Sequence, residues 1–162
     1  MGRMYTMSFT AIAVSVAQDL FSLASPTKGV AVLHSVKLGQ SSDVGDASEI
    51  MEEIVIETGA RTVGSGGGGG TESPLDDGDA AATCVGRIND TTRAVAGGGT
   101  IVRKDTDVWN VRVPFLYQPT PEERISWGEL AAGTTIHLVV AMLNAPASAI
   151  TMSGTIKWEE IG

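Results

Sequence analysis

"VWNVRVPFLYQ", residues 108 to 118, places Trp109, Val111, Val113, Phe115 and Tyr117 at every second position. A helix turns 100° per residue and would scatter these five side chains around its surface. A strand turns about 180° per residue and gathers them on one face. Working outward, the same period recurs along most of the chain. Tyr5, Met7 and Phe9 share one parity, and Ile12, Val14 and Val16 share the other. A slip of one residue at Thr10 or Ala11 therefore predicts a bulge or a bend. Val30, Val32, Val36 and Leu38 follow, then Ile50, Ile54 and Ile56 opposite Glu53 and Glu57. Ile136, Leu138, Val140 and Met142 alternate near the end, before Ile150, Met152, Ile156 and Trp158.

Turn-forming stretches punctuate these runs: "SPTKG", "GQSSDVGD", "AGGGT", "QPTPEE", "LAAGT" and "NAPAS". The best short helix candidate is "DASEIMEE" (46–53), with Asp46 as cap and Glu49 three residues on, but it runs straight into the β-branched "IVIE". The pattern predicts an all-β chain with little helix, an antiparallel β-sandwich of eight or nine strands, jelly-roll-like, forming a single domain over 1–162. Unequal and partly long loops argue against an up-and-down barrel.

The segment "GSGGGGGTESPLDDGD" (64–79) has six glycines in seven positions, then a proline and three aspartates in four residues. It matches G-x-G-x-x-G formally, yet a phosphate cradle needs a strand before it and a helix after it, and the acids that follow repel phosphate. The expectation is a flexible exposed loop over 64–73. "DDGD" (76–79) and "SSDVGD" (41–46) offer hard oxygens for calcium, but they lack the alternate aspartates and closing glutamate of an EF-hand. Asp and Gly in that order are also what tight turns use.

The chain has 162 residues and 43% hydrophobic composition, enough for one buried core. Its net charge is −8, concentrated in residues 41–80, which hold ten acids and one base. No basic stripe is present to displace counterions, so direct nucleic-acid binding is not expected. The N-terminal "MGRMYTMSFTAIAVSVAQD" has the rough outline of a signal peptide, but polar residues interrupt it in alternation and a strand is the better reading. No stretch reaches the length of a membrane span. Cys84 cannot form an internal disulfide and reads as a small core residue in a reducing compartment.

Catalytic and metal readings find little to stand on. His34 falls in register with Val32 and Val36, as a core or interface residue, and His137 lies on the parity opposite Leu138. Two separated histidines and one cysteine have no zinc spacing. Glu52 and Glu53, like Glu122 and Glu123, are adjacent and would point to opposite faces of a strand. No catalytic residue, cofactor or metal site is expected.

"LGQSSDVGDASE" (38–49), "QPTPEERI" (118–125) and "MSGTIKWEEIG" (152–162) resemble the head decoration, or cement, proteins of tailed bacteriophages. The resemblance implies a jelly-roll-like sandwich, a homotrimer, and the major capsid protein as partner. It places the protein on the virion's outer capsid surface after assembly in the host cytoplasm. The contact residues expected on this basis are Gln40, Asp43 and Asp46 in one turn, and Gln118, Glu122, Glu123 and Arg124 in another. Trp109, Trp127, Trp158 and the Tyr5–Phe9 face offer large apolar surface that would favour self-association. The alternative is the receptor- or carbohydrate-binding head of a tail fibre or spike, also built as a sandwich.

Overall fold

The computed structural model describes residues 2–42, 51–131 and 133–162. Two six-stranded antiparallel sheets pack face to face. The first contains β1 (Arg3–Val14), β3 (Val30–Gln40), β6 (Ser73–Pro74), β9 (Phe115–Tyr117), β10 (Ser126–Gly128) and β12 (Ile150–Ile161). Its order is β10-β3-β12-β1-β6, with β9 also paired to β3. The second contains β2 (Gln18–Ala24), β4 (Met51–Ala60), β5 (Gly68–Gly69), β7 (Gly86–Asp90), β8 (Val102–Asn110) and β11 (His137–Met142), in the order β5-β7-β2-β11-β4-β8. Among the described strands the chain stays in one sheet only from β4 to β5, β7 to β8 and β9 to β10, and changes sheet at every other step. It builds β1-β12-β3-β9/β10 against β2-β11-β4-β8, the strand order of a jelly roll. The expected fold class stands. The strands number twelve among the described residues because β5, β6, β9 and β10 are only two or three residues long.

Period-two burial carries the core. Tyr5, Met7, Phe9, Leu33, Val36, Leu38, Ile54, Ile56, Leu138, Val140, Ile156 and Trp158 fill the space between the sheets. The slip in β1 falls where the sequence puts it. The register against β12 shifts between Phe9 and Ile12, Ala11 takes φ +53°, and its N–H donates to Ser153 Oγ at 3.0 Å.

Three expectations give way. In β3 the register shifts opposite Lys157 and Trp158, so Ala31 and Leu33 point inward with Val36 and Leu38 while Val30 and Val32 point outward. His34 is the extra residue at this bulge. It leaves the core face and meets Glu159 Oε2 at 3.0 Å through Nε2. The alternation in 108–118 belongs to two strands in different sheets, joined by a turn that exposes Val113. Finally, β4 and β11 are dry on both faces. Val55, Val139 and Ala141 form a second small core with Ala60 and Ala94 on the outer side of their sheet.

The glycine tract is not an unpaired loop. Gly68 and Gly69 pair with Ile88 and Arg87 as an edge strand, Gly70 N–H donates to Gly86 O at 2.9 Å, and Gly67 N–H donates to Asp90 Oδ1 at 3.0 Å. Gly66 adopts φ +90°, a region that favours glycine.

Candidate functional site

The expected contact residues fall into two places. Gln118, Glu122, Glu123 and Arg124 lie together on the connection from β9 to β10, where Pro121–Glu123 forms a short 3-10 helix. Glu123 Oε2 accepts from Thr120 Oγ1 at 3.0 Å and from Thr120 N–H at 3.4 Å, the second being the reach-back bond of a capping box. Glu122 and Gln118 are exposed, and Arg124 is half-buried, its Nε without a hydrogen-bond partner among the described residues. Gln40 ends β3, where its amide donates to Ser42 O at 2.8 Å and to Ser42 Oγ at 3.0 Å. It holds a turn. Val36 pairs with Tyr117, so Gln118 comes level with Ser35, five residues from Gln40. At about 3.3 Å per residue the two places stand roughly 17 Å apart along one strand. Asp43 and Asp46 lie outside the described residues, as does most of the 46–53 helix candidate.

What the sequence did not single out is the side of the sandwich on which these residues sit. β8 ends one sheet, β9 and β10 end the other, and two grooves run between them. The first, about 430 Å³, is lined by Lys104, Asp105, Asp107, Tyr117, Gln118 and Glu123 among others. The second, about 640 Å³, has Val30, Val102, Trp127, Leu130 and Ile136 along its wall and Arg61, Lys104 and Glu129 as its charged groups. Val108 and Leu116 on these strands, and Val113 in the turn between them, add exposed apolar surface. The available signal was the run "RKDTD" (103–107), charged on both parities. That is the mark of an edge strand kept from unwanted pairing.

The charged groups elsewhere hold the fold. Arg93 bridges Asp19 Oδ1 at 3.0 Å and Glu57 Oε2 at 2.8 Å, and Arg87 meets Asp90 at 2.6 Å. These pairs fasten 61–67 and 90–96 over the outer side of β4 and β11, where Thr62 bridges Val95 and Ser65 bridges Thr92. Burial pushes the Asp19 carboxyl up from its ordinary value, against hydrogen bonds from Ala94 N–H and Arg93. Glu160 is pushed up by burial too. The N–H groups of Cys84 and Thr83, the Thr83 hydroxyl and Trp158 Nε1 outweigh this and hold its carboxyl low.

Cys84 is buried, and its thiol is driven far up by burial and by the Glu160 charge, so it stays a thiol at neutral pH. His137 Nδ1 lies 3.0 Å from Ala60 O. In "DDGD", Asp76 Oδ1 accepts from Gly78 N–H at 3.0 Å and Asp76 O accepts from Asp79 N–H at 2.9 Å, a turn held by its own aspartate. Among the described residues no group of three or more His, Cys, Asp or Glu is placed to hold a metal ion. No helix among them is long and apolar enough to cross a membrane.

The large aromatics behave differently from the expectation attached to them. Trp109, Trp127, Trp158, Tyr5 and Phe9 are all buried within one copy, with Tyr5 stacked on Trp158 at 5.8 Å. They leave no aromatic surface for a partner to cover.

Fold and surface together define a jelly-roll sandwich with two grooves along the side where β8 faces β9 and β10. No family model matches the chain, and no curated protein matches it. Among solved structures, a chain from a crystal structure of the IBDV viral particle aligns with 99% of this chain and 39% of its own length. The two are 12% identical with a TM-score of 0.12, a likeness that carries no argument. This chain spans about two fifths of that one.

Proposed function

We propose that the protein is a structural component of a bacteriophage virion that decorates the outer capsid surface and stabilises the shell. The observation that carries this reading joins sequence to topology. The three stretches that resemble head decoration proteins, 38–49, 118–125 and 152–162, are far apart in the chain. Their described parts nevertheless come together in one sheet, at the end of β3, between β9 and β10, and in β12.

In this reading the major capsid protein is the partner and the decorating unit is a homotrimer without enzymatic activity or cofactor. The unit binds where capsomers meet and adds contact free energy only in the assembled shell. Ligation of that kind stabilises the bound state by mass action, and many equivalent lattice positions let modest contacts act together. The virion surface is its place of action, reached after assembly in the host cytoplasm. The exposed Gln118 and Glu122 are the contact residues that best fit, since neither side chain makes a hydrogen bond or ion pair among the described residues.

The test is to add purified protein to heads that lack it and to measure occupancy and thermal release of DNA. Saturable binding with delayed release supports decoration. Failure to bind heads, with binding to host cells or glycans instead, favours the receptor-binding head of a tail fibre or spike.

A further inference from the structure

The two long sides of the sandwich are unlike each other in a way that suits a second copy of the same chain. On one side lies the larger groove, apolar along the exposed Val30, Val102 and Leu130, with Glu129 as its carboxylate beside two cations. Arg61 and Lys104 at this groove are exposed and make no ion pair among the described residues. On the other side, directly after β6, Leu75 stands exposed beside Asp76 and Asp77. β6 and β10 are the two ends of one sheet. Four strand spacings of about 4.8 Å therefore hold Leu75 and the groove roughly 19 Å or more apart within one copy.

We infer that the Leu75–Asp77 segment of one copy seats in the groove between β8 and β10 of the next. Leu75 enters the apolar wall while Asp76 and Asp77 face Arg61 and Lys104. Charge complementarity argues for this occupant. The free cations at the groove meet the acidic block of a chain whose net charge is −8, so copies would otherwise repel. Because the two patches differ, the contact is head-to-tail, and three such contacts close a ring without leaving either patch open. The inference deepens the homotrimer of the proposed function and rests on it. It replaces the buried tryptophans with a surface that is available.

Sedimentation at micromolar concentration is expected to give a trimer for the native chain. Leu75→Asp, Lys104→Glu and Asp77→Lys should each weaken association at least tenfold, with circular dichroism unchanged. Lys104→Glu combined with Asp77→Lys should recover part of the loss. A chain carrying Leu75→Cys and Leu130→Cys should form disulfide-linked dimers and trimers under mild oxidation, which residues at opposite sides of one copy cannot do internally. A monomeric native chain, unchanged association of Leu75→Asp, or absence of linked species from the double-cysteine chain would overturn the inference. Head binding is scored separately. Monomers that decorate heads would sink this contact and leave decoration standing, whereas trimers that ignore heads would do the reverse.

Discussion

Gly67 donates its N–H to the Asp90 carboxylate at 3.0 Å, and its α-carbon lies so close to Ile88 O that a β-carbon would collide with backbone. Its neighbours Gly68 and Gly69 have nothing within 4 Å of where a β-carbon would sit. Six glycines that look interchangeable in the sequence are therefore unequal. Gly67→Ala is expected to cost about 1–3 kcal/mol, because backbone must shift and a hydrogen bond to a buried charge is lost. Gly68→Ala and Gly69→Ala should fall within about 0.5 kcal/mol of the native chain or stabilise it slightly. Urea unfolding of the three variants checks the contrast, and equal effects at all three sites would return the tract to a slack tether.

That tract also marks where the sequence could be read and where it could not. Alternation reveals a strand whenever one face is wet, which is why β1, β12 and even the bulge at Ala11 were legible. Polyglycine has no side chains to alternate, so β5 leaves no trace, and its pairing depends on Arg87 and Ile88 some twenty residues away. The β3 bulge was hidden for a different reason. "VAVL" (30–33) is apolar at both parities, so nothing in it says which pair faces inward. The groove between β8 and β10 is a product of two sheet ends meeting, and Lys104 and Trp127 are brought together by topology alone.

Arg93 is the fastening of the outer layer over β4 and β11. The Asp19 and Glu57 carboxylates that it bridges are almost wholly buried. Removing Arg93 leaves the Asp19 charge without a cation while Glu57 keeps Arg103 at 3.2 Å, so Arg93→Ala falls within the range of about 3–5 kcal/mol for breaking a buried pair. Arg93 itself is partly exposed, which moves the expectation to the lower end of that range. Hydrogen exchange should show 61–67 and 91–96 losing protection before the sheet ladders do. Loss spread evenly over both sheets would mean that the layer and the sandwich unfold as one.

Glu160 ties the 83–84 segment to β12 through donors from Thr83, Cys84 and Trp158. Its folded carboxyl titrates below the ordinary value of 4.5. A depressed folded value gives stability that is present above the unfolded value and lost as pH falls through the folded one. Glu160→Gln should therefore destabilise by about 1–3 kcal/mol at neutral pH, and the gap should narrow below about pH 4. Chemical denaturation at the two pH values reads this directly. A gap that persists unchanged in acid would assign the effect to packing and not to charge.

Glu52 has the opposite sign. It shares the parity of Ile54 and Ile56, lies opposite Trp109 in the ladder with β8, and is buried. Neither carboxyl oxygen has a hydrogen-bond partner among the described residues. Burial alone pushes it up from 4.5 to about 7. Below the unfolded value both states hold the proton and Glu52 contributes nothing to the pH dependence. Between about 4.5 and 7 the unfolded chain gives up its proton while the folded chain keeps it, so stability falls as pH rises. Above that window the folded protein carries a buried, unpaired charge. Glutamine reproduces the shape and polarity of the protonated acid but cannot ionise. Glu52→Gln is therefore expected to stabilise the protein by about 1–3 kcal/mol near pH 8 and to make almost no difference near pH 4. Denaturation midpoints of both chains across that range test it. A difference that stays constant with pH would show that the Glu52 carboxyl titrates alike in the folded and unfolded chains, so that burial does not hold its proton.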